Sequence, residues 1–75
     1  MDPNFVLSNG DRALHHAARL GLLEVVEWLV RIGAQVNLLN YSGETALDVA
    51  HYNKHTRVIR FLEKVYVYVS LYVKQ

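Results

Sequence analysis

Gly43-Glu44-Thr45-Ala46-Leu47-Asp48-Val49-Ala50 repeats, in residue type and in spacing, the earlier stretch Gly10-Asp11-Arg12-Ala13-Leu14-His15-His16-Ala17. The offset is 33 residues at Gly10/Gly43, Leu14/Leu47 and Ala17/Ala50, and it persists through Val25/Val58, Val26/Ile59 and Leu29/Leu62. Behind the motif, Asn4 falls under Asn37 in the same register. Self-similarity at such a period marks an array of supersecondary units, none of which can bury its apolar face without a neighbour. The chain is therefore expected to be an all-α solenoid of stacked helix-turn-helix pairs.

Within each period the local signals agree with that reading. A first helix opens at Asp11 or Arg12 and ends at Gly21, a residue free to take positive φ. Small residues at Ala13, Ala17 and Ala18 allow a close neighbour, and Leu14 supplies core volume. A second helix is predicted from Leu23 to Ile32, with Leu22, Val25, Val26, Leu29 and Ile32 forming a wide apolar stripe. Glu24, Glu27 and Arg31 fall on the opposite side, with Glu27 and Arg31 in the favourable i,i+4 order. Gly33 stops this helix. Residues 33–43 carry Gly, Asn and Ser without helical period and read as a projecting turn or hairpin. The pattern then restarts: Thr45 and Asp48 have capping-box spacing, and Leu47, Val49 and Ala50 belong to a third helix. Asn53 or Lys54 makes the next turn, Thr56 is the expected cap of a fourth helix, and Val58, Ile59, Leu62 and Val65 are its stripe.

At 75 residues the chain is one domain, of a size where burial only just offsets chain entropy. It has no cysteine, hence neither a disulfide framework nor a thiolate metal site; an intracellular location, cytoplasmic or nuclear, is the expectation. A formal net charge of +1 with interspersed signs gives no electrostatic case for nucleic acid. The stretch from Val65 to Val73 is far short of the ~20 residues a membrane helix needs, and Met1-Asp2-Pro3-Asn4 lacks the start of a signal peptide. No membrane partner is expected.

The motifs resemble ankyrin repeats. Residues 43–50, residues 17–27 and Gly33-Ala34-Gln35-Val36-Asn37 are close to the family pattern, and the resemblance covers residues 2 to about 64. Met1-Asp2-Pro3-Asn4 resembles the finish of a preceding repeat. The expected division is 1–9 as the end of that half-repeat, 10–42 as repeat 1, 43–64 as the helices of repeat 2, and 65–75 as an atypical apolar extension. Asp48 stands where the family motif has His, as in its terminal repeats. Arg12 stands in the Thr slot, so the first helix lacks the usual cap unless Asp11 serves one residue early. Lys54 occupies the Gly slot between helices. Tyr66-Val67 stands where the first repeat has Gly33-Ala34, so no second projecting turn is encoded. The alternation in Val65-Tyr66-Val67-Tyr68-Val69-Ser70-Leu71-Tyr72-Val73 has the period of a strand, yet Leu62, Val65, Val69 and Tyr72 or Val73 also fit a prolonged helix; both readings stand at this point.

The resemblance implies a non-catalytic protein-protein interaction module with no cofactor, binding an as yet unidentified protein on a concave face of turn tips and inner helices. Transferred position by position, the protein-binding residues are Ser8, Asn9, Asp11, Arg19, Leu20, Leu39, Tyr41, Ser42, Glu44, Tyr52 and Asn53, with Tyr41 and Arg19 as anchors. The Tyr and Arg content suits an interface. A second reading is homo-oligomer formation through the exposed repeat face and residues 65–73, since about three repeats are needed before each covers its neighbour. Other chemistries find little support. His51 and His55 have helical spacing for a metal pair, but no third ligand completes a set and Asn53-Lys54 breaks the helix between them. Asp11, His15 and Ser8 or Ser42 lack the oxyanion-hole turn that a hydrolytic triad needs. His15 occupies the family's His slot, which implies a structural hydrogen-bonding role, and Trp28 is expected to pack against a neighbour.

Overall fold

The computed structural model describes residues 4–7 and 11–72. Four helices lie among them: α1 (Ala13–Leu20), α2 (Leu23–Arg31), α3 (Ala46–Tyr52) and α4 (Thr56–Tyr72). Helix α1 packs on α2 and, most extensively, on α3, while α4 lies against α3 and α2. The result is two stacked helical pairs, with the segment between α2 and α3 projecting from one edge.

The 33-residue period in the sequence is a period in hydrogen bonds. Leu7 N–H donates to the Asp11 carbonyl at 2.7 Å, and Asn40 N–H donates to the Glu44 carbonyl at 2.9 Å. The turn after α1 is closed by Gly21 N–H to Ala18 and Leu22 N–H to Ala17. The turn after α3 repeats this with Lys54 N–H to His51 and His55 N–H to Ala50. Even the backbone torsions agree: Gly21 and Lys54 have φ of 72° and 60°, both left-handed. Lys54 thus adopts a conformation that L residues pay roughly 1–2 kcal/mol to enter, because the position demands it.

Helix starts depart from expectation in two places. Asp11 does not cap α1, because its carboxylate is bound elsewhere. Arg12 is the N-cap residue without a side-chain cap bond to the first turn. Its backbone N–H instead donates to Nδ1 of His15 at 3.0 Å, so the third residue of the helix supplies the one capping interaction. Thr45 and Asp48 close the expected capping box on α3, with both bonds at 3.1 Å. Thr56 is the first residue of α4 rather than its cap; the His55 carbonyl accepts from Ile59 in the cap position. Helix α2 stops at Arg31, one residue early, with Gly33 at φ 107°. The Glu27–Arg31 pair does not appear among the ion pairs of the described residues.

Alanine at Ala17, Ala18, Ala46 and Ala50, all buried, lets the helices approach, and Leu14, Val26, Leu29, Val58 and Leu62 fill the centre. Residues 65–72 continue α4 as helix, which decides between the two readings of the tail. Neighbouring helix wins over the two-residue alternation because Leu62, Val65, Tyr66 and Val69 fall on one helical face. Leu62 is buried, and Val65 and Tyr66 pack against the core. The Tyr66 hydroxyl donates to the Val36 carbonyl in the projecting segment. Burial raises the ionisation range of this phenol, against the opposing hydrogen bond with Thr45.

The two left-handed positions make opposite predictions. A methyl group at Gly21 would sit 2.5 Å from Nδ1 of His55 as well as in an unfavourable φ. Gly21→Ala is expected to lower stability by at least about 2 kcal/mol. Lys54→Gly relieves the left-handed residue and is expected to raise stability by about 0.5–1 kcal/mol. Urea denaturation of the two variants beside wild type measures both shifts.

Candidate functional site

The projecting segment ends in a tip organised by Asn40. This side chain is buried, and both of its polar atoms are fully used. Its Nδ2 donates to Asp11 Oδ1 at 3.0 Å and to Glu44 Oε1 at 2.9 Å. Its Oδ1 accepts from the Ser42 and Glu44 amides at 3.0 and 2.9 Å. The main chain adds Gly43 N–H to the Asn40 carbonyl at 3.0 Å. Residues 41–43 are therefore looped around one amide group and held in one shape, with Gly43 at φ 77°.

The tip is tied to the first repeat from inside. The His15 ring, 1% exposed, accepts from Arg12 N–H at Nδ1, so its proton is on Nε2 and is donated to the Glu44 carbonyl at 2.8 Å. Asp11, also 1% exposed, takes Arg19 in a forked arrangement, with contacts of 2.9, 3.1 and 3.3 Å, alongside the Asn40 bond. Burial raises the Asp11 pKa, but the hydrogen bonds from Asn40 and Arg19 and the Arg19 charge outweigh it and the net shift is downward. At the far end of α1, His55 Nε2 donates to the Arg19 carbonyl at 2.9 Å. Two histidines thus join the repeats at both ends of one short helix.

These bonds sort the residues expected to bind a partner. Ser8 and Asn9 lie outside the described residues. Asp11 is enclosed, and its carboxylate belongs to the Arg19–Asn40 network. Arg19 keeps 38% of its side chain exposed, yet its guanidinium is held by Asp11. Glu44 is half-buried and bound to Asn40. Asn53 folds back, its Nδ2 donating to the Val49 carbonyl at 2.8 Å. What remains displayed is Leu20, Leu39, Tyr41, Ser42 and Tyr52, with the two tyrosines 80% and 81% exposed. Tyr52 occupies in repeat 2 the place of Arg19 in repeat 1.

Sequence reading gave Asn40 only a turn-forming role and weighed His55 only as half of a metal pair, which it set aside. The offset held a signal for both: Asn40 aligns with Leu7 and Asn53-Lys54-His55 with Leu20-Gly21-Leu22, so polar side chains stand where repeat 1 has apolar ones. His51 is not beside a metal partner either; its Nε2 lies 3.8 Å from Glu63 on α4. Among the described residues no group of three His, Asp or Glu side chains is arranged to hold a metal ion, and no helix is long and apolar enough to cross a membrane.

Stacked helical pairs of constant period, joined by a projecting tip and by histidines between units, define a repeat solenoid of the helix-turn-helix class. The family profile described as "Ankyrin repeats (3 copies)" matches residues 1–70. The chain belongs to the ankyrin-repeat family. It is 40% identical over 53 residues to the Notch-regulated ankyrin repeat-containing protein of Xenopus tropicalis, which covers 71% of this chain and 46% of that protein. It is likewise 40% identical over 55 residues to the Putative E3 ubiquitin-protein ligase XBAT34 of Arabidopsis thaliana, covering 73% of this chain and 15% of the ligase. Rabankyrin-5 of Mus musculus matches at 41% over 54 residues, 72% of this chain and 5% of that protein. The chain spans about half the length of the Notch-regulated proteins it matches, 46% in the Xenopus tropicalis case.

The depressed Asp11 pKa makes stability depend on pH. Above the ordinary carboxylate value the ionised group contributes in full; as pH falls through about 4 and below, the unfolded chain takes up the proton first and the contribution is lost. Thermal unfolding from pH 7 to pH 2 is expected to show this loss in wild type. In Asp11→Asn the starting stability is lower and the acid-dependent fall shallower.

Proposed function

We propose that this chain is a non-catalytic protein-recognition module whose contact surface is the concave side of the stack. One observation carries the reading. Tyr41 and Tyr52 are about four-fifths exposed, while the residues next to them, Asn40 and Asn53, are spent on fixing the backbone. Two large amphipathic rings are thus presented from a rigid support with little left to order on binding, which is how interface tyrosines give affinity at low entropic cost. Leu20 and Leu39 add apolar area of the kind a partner would cover.

The named relatives support the module reading without lending an activity. A unit of about the same length recurs in a Notch-regulated protein, a putative ubiquitin ligase and Rabankyrin-5, and it makes up 15% of the ligase. What they share with this chain is the repeat. No cofactor is required for recognition by shape and burial, and an intracellular setting, cytoplasmic or nuclear, suits a recognition module without cysteine.

Affinity capture from cell extract with wild type beside Tyr41→Ala, Tyr52→Ala and the double variant tests the reading. A specific partner is expected to be weakened about tenfold or more by either change, and lost by both, with helical circular dichroism unchanged. A partner held equally by all four proteins would move the site off the concave face.

A further inference from the structure

The two ends of this stack have different chemistry. Laid over each other at the 33-residue offset, Leu22, Val25 and Trp28 of repeat 1 correspond to His55, Val58 and Phe61 of repeat 2. In repeat 2 these positions are turned toward repeat 1: Val58 is 1% exposed, Phe61 packs on the core and His55 bonds to Arg19. In repeat 1 nothing of the described chain covers them, and Leu22, Val25 and Trp28 stay 41–47% exposed. With Phe5 they line an apolar groove of about 230 Å³. The opposite end is polar. Ala18 and Val30, which face repeat 2, correspond to the exposed His51 and Glu63, 3.8 Å apart, and His15 corresponds to exposed Asp48.

We infer that the open α2 face of repeat 1 is a self-association surface, on which a second copy of this chain docks by the same face. Head-to-tail stacking is disfavoured because it would bury Trp28 against Asp48 and Glu63 and strip water from charges without partners. A face-to-face pair has no such conflict and closes on itself. Its geometry follows from the charges beside the groove. Glu24 and Arg31 are exposed, lie seven residues apart on one flank of the apolar stripe, and form no ion pair among the described residues. Two α2 helices crossing antiparallel, with the two-fold axis between Glu27 and Trp28, set Glu24 of each copy beside Arg31 of the other. Trp28 and Val25 then meet at the centre, the buried aromatic position that dominates protein interfaces. This surface is separate from Tyr41 and Tyr52, so its failure and that of the concave-face reading are distinguishable.

Sedimentation equilibrium of the full chain, from micromolar to about 1 mM, reads the proposal. A concentration-dependent monomer–dimer equilibrium is expected. Trp28→Glu should raise the dissociation constant at least tenfold with helical circular dichroism retained. Glu24→Arg and Arg31→Glu should each weaken the dimer several-fold, and the double variant, which restores opposite charges, should recover most of the loss. A chain monomeric throughout the range overturns the proposal. So does a dimer unmoved by Trp28→Glu, and so does a double variant no tighter than the single ones.

Discussion

The imidazole of His15 is clamped between two backbone groups of different repeats, the Arg12 N–H at 3.0 Å and the Glu44 carbonyl at 2.8 Å. Both ring nitrogens are used, so the bond to Arg12 fixes the tautomer and the bond to Glu44 fixes where the projecting tip begins. An aliphatic side chain of the same bulk would fill the space but leave a buried donor and acceptor unpaired, at a cost of about 1–3 kcal/mol each. The rest of the tip follows from this anchor. Glu44 in place lets Asn40 close the loop, Asn40 in turn reaches Asp11, and Asp11 holds Arg19.

A network of this kind specifies one conformation more than it adds net stability. Buried polar groups cost desolvation that their bonds largely return, but each demands a particular partner in a particular place. The effect is to make one conformation of residues 40–44 far better than its neighbours. Tyr41 projects from that conformation with its own side chain uncommitted. The long α4 works the same way from below: Tyr66 bonds to the Val36 carbonyl and braces the start of the projecting segment where a second projecting turn is not encoded.

The fold was legible because its repeat is written twice. The alanines and leucines at offset 33, Thr45 with Asp48, and the Gly21 turn each point to the element observed, and Lys54 takes the glycine conformation its position requires. The tail was legible only as a choice, since Val65–Val69 alternates like a strand and is helical through its attachment to Leu62. The site was harder. A turn-tip position says that a side chain can face a partner, not whether the fold has already used it. Asp11, Glu44 and Asn53 look like surface residues in sequence and are occupied internally: Asp11 by Arg19 and the distant Asn40, Glu44 and Asn53 by Asn40 and Val49 four residues earlier, whose geometry only the folded turns fix. Tyr41 and Tyr52 differ: they are 80% and 81% exposed, and no hydrogen bond among the described residues engages their hydroxyls.

The apolar end and the displayed tip are energetically linked. Repeat 2 buries Val58 to 1% exposure, whereas repeat 1 leaves the corresponding Val25 41% and Trp28 47% exposed, so among the described residues repeat 1 keeps the larger uncovered apolar face. Three ties of the projecting segment run to residues 4–15: His15 to Glu44, Asp11 to Asn40, and Asn4 Oδ1 to the Gln35 amide at 2.8 Å, while Tyr66 of α4 holds the start of the segment. Loosening of repeat 1 therefore releases the tip as well. Any body that covers Val25 and Trp28 without disturbing α1 stabilises the state in which the tip is ordered, and under the proposed function linkage makes a partner bound at Tyr41 strengthen that cover in return. The two proposed surfaces of this 75-residue chain would be coupled in this way because one short helix, α1, supports both.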